Sequence, residues 1–216
     1  MNKKDLRKFI GHLYAKLEHV SGAVELIDEV AELIEAEIED EEIDISSHQT
    51  TSFPVPKEID GSKNAVAVFS DGACRGNPGP GAWGAMAQDA EGNVLFTASG
   101  VEVLTTNNQM ELEGAFQGLV QLQEKANFTF SGPVKLYSDS KYVVDGVQKW
   151  VSGWVRRGWK KADGKVPENV EYWKKLTELN AKFADIEYIW VKGHSGHPQN
   201  EMCDQLANQA LDESGF

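Results

Sequence analysis

The chain contains 216 residues, of which 41% are hydrophobic and 25% are charged, and its formal net charge is −13. These proportions are typical of a globular protein, and the length allows one well-buried domain with an appendage. Two cysteines in a chain of this size exclude a disulfide-stabilised scaffold. The charged N-terminus lacks the apolar core of a signal peptide, and no apolar run is long enough to span a membrane. We therefore expect a cytoplasmic location with both thiols reduced.

The N-terminal segment differs from the rest of the chain in charge. Residues 1–62 contain 6 Lys and Arg against 15 Asp and Glu, which accounts for −9 of the net charge. Apolar residues recur at helical spacing on either side of Gly22, which predicts a helical hairpin over residues 1–42, followed by an acidic and polar linker over 43–63. Because two such helices bury little surface alone, we expect the hairpin to mediate homodimerisation or to bind another protein.

The rest of the chain predicts one α/β domain over residues 64–213. Strands are predicted at about 65–70, 81–88, 93–101, 134–138 and 186–191, and helices at about 107–125, 140–153, 170–183 and 199–211. The first three strands are joined by short Gly-containing turns, which indicates an antiparallel meander. The later alternation of helix and strand predicts a mixed sheet with helices on both faces.

Two acidic residues follow apolar strands. Asp71 comes after the run at 65–70 and precedes a stretch rich in Gly and Pro at 72–80, which predicts a loop. Asp139 comes in the same way after the strand predicted at 134–138. Open α/β sheets bind ligands at the carboxyl ends of their strands. If the two strands are parallel neighbours, the two carboxylates therefore lie close together at that edge.

Two further acids, Glu111 and Asp204, lie about one turn into predicted helices, from which each can point toward the same edge. Four carboxylates in close contact repel one another unless cations lie between them. Because the set contains no His or Cys, an oxygen-preferring divalent cation such as Mg²⁺ is the expected partner. Each acid seen alone is more simply a turn residue or a helix cap, so the prediction depends on all four.

A basic segment interrupts the acidic chain. Residues 156–165 contain five Lys and Arg and one Asp, and Trp150, Trp154 and Trp159 lie beside or within them. Cations neutralise phosphate and aromatic rings stack on bases, so this basic segment predicts a nucleic-acid contact. The spacing of Trp150 and Trp154 also fits one helix face, for which core packing is the alternative. Trp190 is assigned to the core.

Five sequence blocks carry a resemblance to a known family. They are FSDGACRGNPGPG at 69–81, TNNQMEL at 106–112, YSDSKY at 137–142, VKGHSGH at 191–197 and NEMCD at 200–204. Together they resemble the signature blocks of type 1 ribonuclease H, in its bacterial ribonuclease HI form. The resemblance covers the chain from about residue 64 to 211 without a break, and five blocks at compatible spacing are more specific than any single motif. It implies the ribonuclease H-like fold with a mixed five-stranded sheet.

The resemblance implies an endoribonuclease that hydrolyses the RNA strand of RNA/DNA hybrids and leaves 5′-phosphate and 3′-hydroxyl ends. The acids that match Asp71, Glu111, Asp139 and Asp204 hold two Mg²⁺ ions in that family, with Mn²⁺ as an alternative. One ion activates the attacking water and the other stabilises the leaving oxygen. His194 matches a histidine that assists proton transfer or product release. These five residues are the candidate catalytic set.

The resemblance also assigns contacts to the hybrid. Specificity for RNA requires contact with the 2′-hydroxyl group, which both donates and accepts hydrogen bonds. The residues that match the minor-groove contacts are Cys74, Gly76, Asn77, Asn107, Asn108 and Gln109. Thr106 and Asn169 match a pocket for a DNA phosphate. Trp150, Trp154 and the basic segment match a protrusion that contacts the DNA strand.

Two positions depart from the family pattern. Leu104 stands where relatives often have an Arg that helps bind phosphate, which predicts a weaker phosphate pocket. Lys141 stands where Gln is common, and its charge adds attraction to phosphate, so it is a further candidate substrate contact. Neither change affects the acids.

Two other functions are consistent with part of the pattern. A proofreading-type exonuclease of the same superfamily pairs two acids as Asp-x-Glu on its first strand, whereas Asp71 here is followed by Gly72 and Ala73. A hybrid-binding or scaffold protein that has lost catalysis is expected to lack at least one acid, whereas all four are present. The sequence therefore favours the nuclease.

Overall fold

The computed structural model describes residues 52–125 and 132–216, which belong to a compact unit spanning Thr50–Phe216. The helical hairpin predicted at 1–42 and the first part of the predicted linker lie outside the described residues. Within the described ranges, no helix is both long and apolar enough to cross a lipid bilayer.

In the described residues, five strands form one mixed sheet. They are β1 (Val66–Cys74), β2 (Gly79–Asp89), β3 (Val94–Thr105), β4 (Val134–Ser138) and β5 (Ile186–Trp190). In the order β3-β2-β1-β4-β5, β2 pairs antiparallel with β1 and β3, and β4 pairs parallel with β1 and β5. The predicted meander and the predicted mixed five-stranded sheet are both confirmed.

The helices connect and cover these strands. They are α1 (Asn107–Lys125), α2 (Lys141–Asp145), α3 (Val151–Arg156), α4 (Val170–Asn180) and α5 (Pro198–Glu213), and a π-helical turn (Gly146–Trp150) joins α2 to α3. Helix α1 begins with a capping box. The Thr106 hydroxyl accepts a hydrogen bond from the N–H of Gln109 at 3.4 Å, and Gln109 Oε1 accepts one from the N–H of Thr106 at 3.0 Å. This reciprocal pair explains why the helix starts directly after β3.

Apolar packing covers both faces of the sheet. Alternate residues of β1 point to opposite faces, so Val66 and Val68 pack with apolar residues of α1 and α4, whereas Ala67 and Phe69 pack with Cys203 of α5. The apolar face of α1 is buried against the sheet; its residues are Met110, Leu112, Ala115, Leu119 and Leu122. The prediction of helices on both faces is confirmed.

Strand β1 is longer than predicted. The prediction that the chain leaves the sheet after Asp71 is wrong, because residues 72–74 pair antiparallel with residues 81–83 of β2. This pairing satisfies the backbone N–H and C=O groups of the stretch, which outweighs the low strand propensity of glycine. Asp71 therefore lies inside a strand, two residues beyond the last β1–β4 pair of Phe69 and Tyr137.

Residues 53–59, here called the strap, pack on the domain although the sequence predicts them as linker. The Ile59 side chain is fully buried against the α5 face of the sheet, and the N–H of Phe53 donates a hydrogen bond to the Gly92 carbonyl at 3.2 Å. The strap therefore lies in the same compact unit, Thr50–Phe216, as the sheet. Polar neighbours mask the apolar strap residues in the sequence, but burying those residues is favourable.

Candidate active site

Three of the four predicted acids meet where β1 and β4 separate. The parallel pairing of these strands ends at Phe69 and Tyr137, and Asp71 and Asp139 each follow two residues later. Glu111, near the start of α1, completes the group. One carboxylate oxygen from each acid lies within 4.8 Å of the other two. The expected convergence of Asp71 and Asp139 at one edge of the sheet is confirmed.

Helix α1 approaches β1 closely because residue 72 is glycine. A Cβ atom at Gly72 would lie 2.4 Å from the backbone nitrogen of Glu111, which is too near for any side chain. The N–H of Gly72 also donates a hydrogen bond to Asp71 Oδ1 at 2.7 Å. The glycine thus brings the start of the helix to the strand and orients one of the carboxylates.

Burial and mutual repulsion raise the pKa values of two of these acids. Burial raises the pKa of Asp71 to about 7, the charges of Asp139 and Asp204 add to the effect, and the hydrogen bond from Gly72 opposes it. Burial also raises the pKa of Glu111, followed by the charges of Asp71 and Asp139. The ionised forms of both acids therefore gain from a nearby positive charge.

The donor set fits a divalent metal ion. Glu111 Oε2 is buried without a hydrogen-bond partner. No Lys or Arg within the described ranges forms an ion pair with Asp71, Glu111 or Asp139. An all-oxygen set of this kind suits a hard cation rather than a thiolate- or imidazole-bound metal.

The fourth acid, Asp204, lies outside the group of three. It is half-buried on α5, and its Oδ1 accepts a hydrogen bond from Asn208 Nδ2 at 2.8 Å on the same helix. Its charge nevertheless contributes to the raised pKa of Asp71. The structure therefore brings three of the four acids together and places the fourth within electrostatic range.

The loop at 192–198, here called the histidine loop, passes beside Asp139. A Cβ atom at Gly193 would lie 2.3 Å from Asp139 Oδ2, so the loop backbone lies against that carboxylate. His194 is exposed and has a φ of +49°, in the left-handed region. The predicted catalytic histidine is thus held on a loop that contacts the acidic group through its neighbour.

Comparison with known proteins identifies the family. Residues 63–212 match the ribonuclease H (RNase H) family. The chain belongs to this family. It is 46% identical to the ribonuclease H of Rhizobium meliloti (strain 1021) over 147 residues, which cover 68% of this chain and 90% of that protein. It is 45% identical to the ribonuclease HI of Caulobacter vibrioides (strain ATCC 19089 / CIP 103742 / CB 15) over 146 residues, with coverage of 68% and 92%.

A solved structure agrees with this assignment. The crystal structure of LC11-RNase H1 in complex with RNA/DNA hybrid matches with a TM-score of 0.57 and 25% identity, covering 69% of this chain and 98% of that chain. As a type 1 ribonuclease H, the chain is a nuclease of the hydrolase class that cleaves the RNA strand of RNA/DNA hybrids. Membership of the family also implies dependence on a divalent metal ion.

Two residues that contact Asp139 have no functional role in the sequence-based prediction. Asn200 is buried, and its Nδ2 donates a hydrogen bond to Asp139 Oδ2 at 3.4 Å. Trp190 Nε1 donates to the backbone carbonyl of Asp139 at 3.0 Å. Trp190 is 43% exposed, so its assignment to the core is wrong. In the sequence, Asn200 could have been found from its place at the start of the NEMCD block. Trp190 could have been found because it ends a strand parallel to the one that precedes Asp139.

The predicted minor-groove residues lie on two adjacent segments, the β1–β2 turn and the start of α1. Asn77 Oδ1 accepts a hydrogen bond from the N–H of Asn107 at 3.3 Å, which joins the two segments. Cys74 Sγ donates to the Gly76 carbonyl at 2.6 Å within the turn. Asn108 is exposed. Thr106 and Gln109 form the capping box, so their side chains are partly engaged in shaping the helix start.

The other predicted contacts surround a group of aromatic rings. Trp154 is buried with its ring centroid 5.8 Å from that of Trp173, and the half-buried Trp150 lies 5.9 Å from Trp154. The core-packing alternative therefore describes Trp154. Asn169 Nδ2 donates to the Tyr142 hydroxyl at 3.2 Å. Lys141 is exposed, with its Nζ 4.8 Å from the ring centroid of Trp190.

Proposed function

We propose that this ribonuclease H cuts the RNA strand internally at the site formed by Asp71, Glu111, Asp139 and Asp204, and that the products carry 5′-phosphate and 3′-hydroxyl ends. One observation carries the assignment of the site. Oxygens of three carboxylates lie within 4.8 Å of one another, just beyond the point where the parallel pairing of β1 and β4 ends. Folding alone gives no reason to place three repelling charges there.

The proposal includes two Mg²⁺ ions as the metal, with Mn²⁺ as an alternative. The four acids would hold them, and the buried, unpaired Glu111 Oε2 supports this role. When bound, such ions supply a water nucleophile of lowered pKa and neutralise charge on the phosphate and on the leaving oxygen. Asn200 and Trp190 orient Asp139 through its carboxylate and its backbone carbonyl, respectively. His194, exposed on the histidine loop, exchanges protons with the reacting phosphate or the leaving group.

Recognition of the hybrid is proposed on the segments described above. Asn77, Asn107 and Asn108 offer amide groups to the 2′-hydroxyl groups of the RNA strand, with the backbone at Cys74 and Gly76 beside them. Gln109 supports this surface through the capping box. Thr106 and Asn169 contact a DNA phosphate. The exposed cations Arg156, Arg157, Lys160 and Lys165 attract the DNA strand, while Trp150 and Trp154 support them and Lys141 binds a phosphate near the acids.

Substitution of Asp71 by Asn tests the site. The change keeps the size of the side chain but removes a negative charge, so we expect cleavage of a labelled RNA/DNA duplex in Mg²⁺ to fall by at least about a hundredfold. A chelator is expected to stop the wild-type reaction. Asp185→Asn, at an exposed position before β5, is the matched control and retains activity. Undiminished cutting by Asp71→Asn contradicts the assignment of the site.

We also propose a location in the cell and a role for the N-terminal segment. A cytoplasmic location is consistent with the free thiols of Cys74 and Cys203. The acidic hairpin is proposed to mediate homodimerisation or to bind another protein. Sedimentation of the full chain against a chain that begins at Thr50 tests the first possibility. Identical monomeric behaviour of the two proteins removes the homodimer.

A further inference from the structure

Three distant segments meet in a buried network of amide groups. Gln199 Nε2 donates hydrogen bonds to the Pro54 carbonyl of the strap at 2.7 Å and to Gln88 Oε1 of β2 at 2.9 Å. Gln88 Nε2 lies 3.4 Å from the same Pro54 carbonyl. Gln199 is only 3% exposed and Gln88 is fully buried. Because a buried amide without partners costs free energy, this network holds the Gln199 side chain in one position.

Gln199 stands where the histidine loop joins α5. At its other end the loop is held by the N–H of Val191, which donates to the Ser138 carbonyl at 3.1 Å. Inside the loop, the N–H of Gly196 donates to Glu201 Oε1 at 3.2 Å, and Ser195 Oγ donates to the Lys192 carbonyl. The loop is therefore closed between two anchors: the Val191 anchor contacts β4, and Gln199 contacts the strap and β2.

The strap is a firm support for this anchor. Ile59 is fully buried, and the Tyr137 hydroxyl donates to Glu58 Oε2 at 3.0 Å. Phe53 and Val55 also pack against the apolar cluster on this face of the sheet. Movement of Pro54 therefore requires these contacts to break, so its carbonyl is a fixed point relative to the sheet.

We propose that Gln199 is a positioning residue for the histidine loop, held by the Pro54 carbonyl of the strap and by Gln88. It sets the first turn of α5 and thereby the place of His194 relative to Asp139. The strap, which precedes the ribonuclease H domain predicted from sequence, thus contributes to the geometry of the active site. The inference rests on the proposed role of His194.

The test compares Gln199→Met in the full chain with and without His194→Ala. Methionine fills the same space but cannot donate to Pro54 or Gln88. With a labelled hybrid in Mg²⁺, we expect kcat to fall roughly 5- to 20-fold with KM changed less than about twofold, because a misplaced proton-transfer group slows the reaction without weakening binding. In the His194→Ala background, the same substitution is expected to change kcat less than about twofold, because the group that it misplaces is already absent.

Two control variants separate positioning from stability. Leu211→Ala removes buried packing at the far end of α5. We expect it to lower the melting temperature, and any fall in kcat to be the same with and without His194. Gln88→Met leaves the Gln199–Pro54 hydrogen bond in place, so we expect a smaller fall in kcat that again depends on His194. If Gln199→Met does not fold, Gln88→Met carries the same comparison.

Three results overturn the inference. The first is a wild-type kcat in Gln199→Met, or in Gln88→Met if Gln199→Met does not fold. The second is an equal loss of kcat with and without His194. The third is a wild-type kcat in His194→Ala itself. Failure of the wild-type protein to cut the hybrid is a different outcome, because it removes the proposed function. If the wild-type enzyme cuts the hybrid but Gln199→Met lowers kcat equally with and without His194, the proposed function stands and only the positioning role is removed.

Discussion

At the scale of single residues, Asp71 shows how a buried group of acids opposes stability. Its carboxylate is buried beside Asp139 and Glu111, and its pKa is raised to about 7. In the unfolded chain the same group titrates near its ordinary value of 3.8. The folded protein therefore holds this proton more tightly than the unfolded chain does. A cation that binds the ionised carboxylates reverses that preference.

A pH dependence of stability follows for the metal-free protein. Well below pH 4, Asp71 is protonated in both states, so it adds no penalty. As the pH rises from about 4 to 7 the unfolded chain loses the proton first, and the free energy of unfolding falls. Asp71→Asn removes this penalty, so at pH 8 in chelator we expect a gain on the order of 1–3 kcal/mol.

Thermal unfolding of the two proteins at pH 4 and pH 8 measures the effect. The difference in melting temperature is expected to be large at pH 8 and much smaller at pH 4, close to the ordinary pKa of the carboxyl. Asp185→Asn replaces an exposed carboxylate outside the acidic group and is the control for the loss of one negative charge. A lower melting temperature for Asp71→Asn at pH 8 contradicts the raised pKa.

At the scale of elements, the contact between β1 and α1 positions two of the acids. The predicted helix at 107–125 has the observed bounds of α1, because its apolar spacing and its capping box act within one segment. The approach of that helix to β1 depends on Gly72 instead. Sequence periodicity contains no information about this distance, since it is set by the strand on the other side of the contact.

We expect Gly72→Ala to displace the start of α1. The added Cβ meets the backbone of Glu111 at 2.4 Å, and overpacking of this kind costs about 1–3 kcal/mol. Cleavage activity should fall further than stability suggests, because Glu111 moves relative to Asp71.

Activity and denaturant unfolding measured on the same samples check this expectation. Gly61→Ala is the control, because its Cβ has open space and only its positive φ opposes the change. If Gly72→Ala is fully folded under the assay conditions and is as active as wild type, the role assigned to the β1–α1 contact is contradicted.

At the scale of the whole molecule, charge is divided unevenly. The net charge is −13, yet the basic segment presents exposed cations at Arg156, Arg157, Lys160 and Lys165. Attraction to a nucleic acid depends on cations close to the phosphates. At physiological ionic strength, salt largely screens charges that are more than about 8 Å apart. An acidic protein can therefore bind a hybrid through a basic surface of limited size.

Lys160→Gln tests this surface. If Lys160 neutralises one phosphate, we expect the slope of log K against log salt concentration to become less steep by about 1, with weaker binding at low salt. Lys182→Gln, at another exposed position, is the control of equal charge. Fluorescence anisotropy of a labelled hybrid from low to high salt measures both slopes, and identical slopes for the two variants remove the basic segment from the interface.

Sequence reasoning correctly predicted the order of strands and helices along the chain and the family, and it proposed four acids for the site. These properties follow from spacing and residue type within short segments. The folded chain was needed to show which carboxylates meet, with Asp204 outside the group of three, and that β1 continues past Asp71. It was also needed to show that the strap packs on the sheet and that Trp190 is exposed. These outcomes depend on backbone pairing and close packing between segments far apart in the chain, because a residue's own neighbours in sequence do not determine those contacts.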